Sequence, residues 1–103
     1  MSTLHTVNKS PFERNSLDTC LLLIKNDSTV LLIEDGVAGA LQNTTASQSI
    51  SDAMGEGVKF AVLGEDLNAR GLSADRVIDG ISVVDYAGFV QLAVDHDNVQ
   101  NWL

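Results

Sequence analysis

A chain of 103 residues, 45% apolar and only 5% aromatic, has the size of one domain built on an aliphatic core. Its formal charge is −8, from 14 acidic and 6 basic residues. Lys9, Arg14, Lys25, Lys59, Arg70 and Arg76 are scattered, so no basic stripe exists to neutralise nucleic-acid phosphates or to hold an anionic membrane surface.

A single cysteine, Cys20, excludes an internal disulfide and argues against a metal site. The opening "MSTLHTVNKSPFERN" lacks the apolar stretch of a signal peptide, and the longest apolar run, Cys20–Ile24, is far too short to span a bilayer. The expectation is a soluble, cytoplasmic protein, residues 1–103 forming a single domain.

The first segment, Thr3–Val7, reads as a short strand bounded by Asn8 and Pro11. Two helix starts follow. "SPFE" offers Ser10 as cap, Pro11 in the first turn and Glu13 as capping-box partner; Ser16 offers another, with Asp18 in its first turn. From Ser16, Leu17, Cys20, Leu21 and Ile24 fall on one helical face, and Asn26-Asp27-Ser28 ends the helix. Thr29–Glu34 is a near-continuous apolar strand of the kind buried in parallel sheets.

Val37–Leu41 suits a short helical turn, Gln42–Ser49 a loop, and "ISDAMGEG" a short helix ending at glycine. Val58–Leu63 is the third strand. Gly64–Arg70 is a compact helix with Glu65 and Asp66 at its positive end, Arg70 at its negative end and Gly71 as its stop. Ile81–Asp85 is the fourth strand. Tyr86–His96 is the last helix, with Phe89, Val90, Ala93 and Val94 as its expected buried stripe, and "NVQNWL" is a tail. Alternation of strand and helix predicts an α/β fold, a parallel sheet covered by helices on both faces.

In such sheets ligands bind beyond the carboxyl ends of the strands, and three of those ends here are acidic. Asp35, Glu65, Asp66 and Asp85 could hold magnesium as in a phosphorelay receiver. The favoured reading is that they cap or charge-complement the helices that follow. No lysine follows the fourth strand and no phosphate-cradling glycine loop occurs, so no cofactor is expected. A Ser–His–Asp set using His5 or His96 lacks a nucleophile elbow. At a helix carboxyl end, protonated His96 would gain from the dipole.

Cys20 has two readings. Free cysteine is often a small core hydrophobe, and its neighbours on this face are leucines. Near the first turn of a helix starting at Ser16, the dipole would instead lower its pKa.

Four blocks occur in order: "LHTVNKSPF" (Leu4–Phe12), "LLIEDGV" (Leu31–Val37), "LGEDLNARGL" (Leu63–Leu72) and "VVDYAGFVQL" (Val83–Leu92). With Trp102 they resemble the DsrH/TusB family of sulfur-relay proteins, within the DsrE/DsrF/DsrH-like superfamily, from Leu4 to Leu103 with a gap over Gln42–Gly57. The resemblance implies a three-layer α/β/α sandwich with a small, mostly parallel sheet. It implies the smallest subunit of a cytoplasmic heterohexamer with DsrE/TusD-like and DsrF/TusC-like chains. Sulfur would pass as persulfide to a DsrC/TusE-like carrier.

Cys20 in the first helix and the run "NKSPFERNSLDTC" look closer to DsrH, the sulfur-oxidation branch, than to TusB, the branch serving transfer-RNA wobble-uridine 2-thiolation. The resemblance makes Cys20 a candidate persulfide carrier, its thiolate attacking the outer sulfur of a persulfide. The competing reading is a structural subunit whose partner performs the transfer. Val99, Trp102 and Leu103 are candidate interface anchors, Trp102 alternatively closing the chain's own core.

Overall fold

Alternate residues of the first strand, β1 (Thr3–Val7), separate onto two faces: Val7 joins a large apolar cluster and Leu4 a smaller one on the opposite side. The computed structural model describes residues 2–24 and 28–102. Around β1 lie β2 (Thr29–Leu32), β3 (Lys59–Leu63), β4 (Ser82–Val84) and β5 (Asn98–Trp102), in the order β4-β3-β2-β1-β5 with every neighbouring pair parallel.

Three crossovers step the same way across this sheet, through α1 (Ser16–Leu23), α2 (Ser47–Gly55) and α3 (Gly64–Ala69). Leu17, Ile50 and Leu67 from these helices all enter the large cluster with Val30, Leu32, Phe60 and Val62. The fourth crossover runs back the other way. Its helix, α4 (Tyr86–Asp95), packs Phe89, Leu92 and Ala93 on Leu4, Leu31 and Ala61 of the opposite face. Reversing the direction of travel moves the helix to the other face when crossovers keep one hand, which gives the α/β/α layering expected from the sequence.

Several expectations are corrected. The tail is a strand: β5 pairs with β1 from Thr3↔Asn98 to Val7↔Trp102. Three of its five residues are Asn or Gln, a composition that hides an exposed edge strand. Residues 11–13 form a turn, and the helix starts at Ser16 rather than Ser10. The turn expected at Val37–Leu41 is a longer 3₁₀ segment, Glu34–Ala40, and the expected loop turns helical from Ser47. The stripe of α4 is displaced: Phe89 and Ala93 face the sheet with Leu92, whereas Val90 and Val94 are exposed. Asn26 and Asp27, expected to end α1, lie outside the described residues.

The Glu34–Ala40 segment presses against the end of β1. Ile33 N–H donates to the Val7 carbonyl at 3.1 Å, and a Cβ on Gly36 would collide with that same oxygen. Glycine there is a steric requirement of the close approach. Among the described residues, no helix is long and apolar enough to cross a membrane.

Candidate functional site

Cys20 is the fifth residue of α1, beyond the first turn where the helix dipole acts most strongly. Asn15, before the helix, makes no side-chain cap. With Leu17, Cys20 faces the sheet, 0% exposed, within the large cluster. Burial without a compensating charge pushes the thiol from 9.0 up to about 12. At neutral pH the thiolate is then on the order of one part in 10⁵. In this conformation Cys20 neither meets solvent nor ionises, so persulfide exchange there requires α1 to lift from the sheet.

Beside it, β1 and β5 bring His5 and Trp102 together on the α1 face. Trp102 Nε1–H donates to His5 Nδ1 at 3.0 Å, with ring centroids 6.2 Å apart. His5 is buried, and burial lowers its pKa, so the ring is neutral with its proton on Nε2. Trp102 is half-buried and packs on the large cluster with Leu21 and Ile24. Leu103, the other candidate anchor, lies outside the described residues.

The acidic strand ends hold the framework. Asp85 Oδ1 accepts Gly88 N–H at 2.8 Å and so caps α4. Glu65 Oε2 accepts Tyr86 N–H at 3.0 Å. Asp66 Oδ2 accepts Glu34 N–H at 2.6 Å, and Asp35 pairs with Arg70 at 3.0 Å. All four carboxylates are thus engaged in loop and cap contacts. Among the described residues, no group of three or more His, Cys, Asp or Glu is placed to hold a metal ion. Between β3 and β4, where successive connections leave for opposite faces, Gly64, Glu65, Asn68, Val83, Val84, Asp85 and Gly88 line an open cleft of about 600 Å³.

Sequence reasoning missed the α4 face. A second groove of about 460 Å³ runs beside α4 between Thr29, Lys59, Ser82, Leu92, Asp95 and His96. His96 Nδ1 meets the Leu92 carbonyl at 2.7 Å, and Nε2 meets Thr29 Oγ1 at 2.9 Å, tying the end of α4 to β2. No residue of α4 is fully buried. The available signal was that apolar residues go nearly all round this helix, more than one sheet face can cover.

Residues 9–99 match the family model described as DsrH like protein. A protein named TusB from Escherichia coli O1:K1 / APEC is 35% identical over 99 residues, spanning 96% of this chain and 99% of that one. A TusB of Shigella flexneri is 34% identical over the same shares. Among solved structures, the ychN protein from E. coli superposes with a TM-score of 0.82 at 20% identity, covering 98% of this chain and 99% of the other. Protein MTH1491 from Methanobacterium thermoautotrophicum gives 0.72 at 16% identity, covering 96% and 97%. These two likenesses show the shared fold.

Proposed function

The chain belongs to the DsrH-like family, and on that premise we propose that it is a TusB-like subunit of a sulfur relay serving 2-thiolation of the wobble uridine in certain transfer RNAs. The observation that carries this reading is the likeness to TusB proteins along 96% of the chain at 35% identity. It outweighs the lean toward sulfur oxidation taken from Cys20 and the "NKSPFERNSLDTC" run. In this reading the subunit assembles with TusD-like and TusC-like chains in the cytoplasm, and sulfur leaves on a TusE-like carrier. The acidic surface leaves contact with the transfer RNA to other components.

Burial and a high pKa at Cys20 support a structural role for this subunit, with the transfer cysteine on a partner. Expression of the chain in E. coli lacking its own TusB tests the reading. Restored 2-thiouridine in transfer-RNA hydrolysates is the expected result. Soluble, partner-bound protein without restoration would return the weight to the sulfur-oxidation branch. Intact mass of the co-expressed complex after a persulfide donor tests Cys20. Sulfur gained by the partner alone is expected; a gain of one sulfur on this chain, lost in Cys20→Ser, would make Cys20 a carrier.

A further inference from the structure

We infer that the groove beside α4 is a binding site for a small zwitterion, a free α-amino acid with a short apolar side chain. One helix does not cover a sheet of five strands. α1, α2 and α3 pack on the other face, and α4 lies over Leu4, Leu31 and Ala61 of β1, β2 and β3. The sheet is left open on the α4 side at the amino ends of β3 and β4. The groove lies there, and its volume of about 460 Å³ is usual for a small-ligand site.

Register fixes which side chains enter it. Thr29 pairs with Lys59, and Ala61 pairs with Ser82. Ala61 packs under α4, and Thr29 meets His96 at the end of that helix. Lys59 and Ser82 share their pleat and so project to the same face. Across the sheet the order is Ser82, Lys59, Thr29.

The groove has two poles. Acceptors collect beside α4. The Leu92 carbonyl can only accept, so His96 Nδ1 carries a proton toward it at 2.7 Å. Nε2 of the neutral ring then takes the hydroxyl hydrogen of Thr29 at 2.9 Å, and Thr29 Oγ1 offers lone pairs to any further partner. Asp95 Oδ1 accepts from Gln91 Nε2 at 2.7 Å, which leaves Oδ2 for another donor. The carboxyl end of α4 adds the negative end of its dipole. This wall suits an ammonium group. Donors collect over β3 and β4, where the Lys59 ammonium and the Ser82 hydroxyl suit a carboxylate. Between the poles, Ala61, Val84 and Leu92 form an apolar floor, and Ala61, the smallest side chain of β3, leaves the room above it.

The two charges together choose the ligand. Among the described residues no ion pair joins Lys59 to Asp95, so one groove holds a positive and a negative group unpaired with each other. A polyanion would meet one lysine, the Asp95 carboxylate and a chain of net charge −8. A diamine would meet Lys59. A molecule carrying both charges satisfies both walls and adds no net charge.

The test is titration of the full-length, isotope-labelled chain, followed by amide and His96 ring NMR signals. L-valine at millimolar concentration should shift Thr29, Lys59, Ser82 and His96. Isovalerate, which lacks the ammonium, and isobutylamine, which lacks the carboxylate, should each bind at least tenfold more weakly, the loss of one charge-assisted hydrogen bond. Lys59→Gln and Asp95→Asn, both exposed positions, should weaken valine equally while circular dichroism stays native. Asp18→Asn, on α1, should bind as the wild type does. Absence of shifts with valine, or shifts that lie elsewhere, would overturn the site. Isovalerate or isobutylamine binding as tightly as valine, or native-like Lys59 and Asp95 variants that bind unchanged, would overturn the zwitterion assignment. Glycine binding as tightly as valine would overturn the apolar floor.

Discussion

Trp102 donates its indole N–H to Nδ1 of His5 at 3.0 Å, joining the last strand to the first from positions 97 residues apart. The contact requires a neutral imidazole, because a protonated Nδ1 has no lone pair to accept with. Burial supplies that condition by lowering the pKa of His5. The folded chain therefore binds fewer protons than the unfolded chain below the ordinary value of 6.5. Stability is complete above that pH and falls as the pH drops from 6.5 toward the lowered folded value. Melting temperatures from pH 5 to 8 should show this slope, and His5→Gln should flatten it. An unchanged slope in the variant would remove His5 as the cause.

Trp102→Phe keeps a ring against the large cluster and removes only the donor. It should cost about 1 kcal/mol, the worth of an ordinary buried hydrogen bond. Trp102→Ala also removes the half-buried indole and should cost more, roughly 2–3 kcal/mol. Urea melts of the two variants check the order. If Trp102 also anchors assembly, Trp102→Ala should loosen the complex on a sizing column, and an unaltered elution would confine the residue to its own core.

Burial and a raised pKa at Cys20 predict a thiol that reacts slowly in the native chain. Labelling by a disulfide reagent at pH 7 should be slow, and it should become fast when urea unfolds the protein. The raised pKa also sets a sign. The folded thiol keeps its proton to about 12, while the unfolded one loses it near 9.0. The stabilisation is fully present below 9 and is lost progressively as pH rises above it. Cys20→Ser places a hydroxyl in the large apolar cluster and should cost about 1–3 kcal/mol. Rapid native-state labelling would show that α1 opens readily.

The legible parts of the fold were those whose burial leaves a one-dimensional trace. Val30–Leu32 and Phe60–Val62 sit between two helical layers and read as apolar runs, so both strands and their parallel pairing could be inferred. β5 left no such trace, because pairing on one side only lets Asn98, Gln100 and Asn101 remain polar. Val90 and Val94 misled for the opposite reason. Apolar residues surround α4, and periodicity does not say which arc meets the sheet. At the candidate site, Cys20 was visible as an apolar-face residue, but a core thiol and a dipole-activated one both fitted the sequence, because the choice depends on where α1 begins and how it packs. The His5–Trp102 contact joins residues far apart in the chain, and no local pattern encodes it.

Gly36 packs directly against the end of β1. Its missing Cβ leaves room for the Val7 carbonyl, which accepts the Ile33 N–H. Gly36→Ala forces the Glu34–Ala40 segment away from the strand end. The expected loss is about 1–3 kcal/mol, typical of overpacking against an atom that cannot move. Gly55→Ala, where an added Cβ meets nothing within 4 Å, is the matched control and should be near neutral or stabilising. Equal melting temperatures for the two variants would refute the close-approach argument.

Glu34 carries a left-handed backbone, φ 49°, immediately after the extended Ile33, and its N–H is held by Asp66 Oδ2 at 2.6 Å. A side-chain-bearing residue in that region costs about 1–2 kcal/mol, so the carboxylate contact helps to hold a strained turn. Asp66→Ala should destabilise by roughly 1–2 kcal/mol by removing that acceptor. Glu34→Gly relieves the strain but adds freedom to the unfolded chain, and these effects offset to within about 1 kcal/mol. The informative measurement is the double variant. If the Asp66 contact stabilises the turn by overcoming strain at Glu34, the loss from Asp66→Ala should be smaller in the glycine background than in the wild type. Equal losses in the two backgrounds would show that Asp66 contributes only a local hydrogen bond and that the left-handed turn is set by the packing of Gly36 on β1.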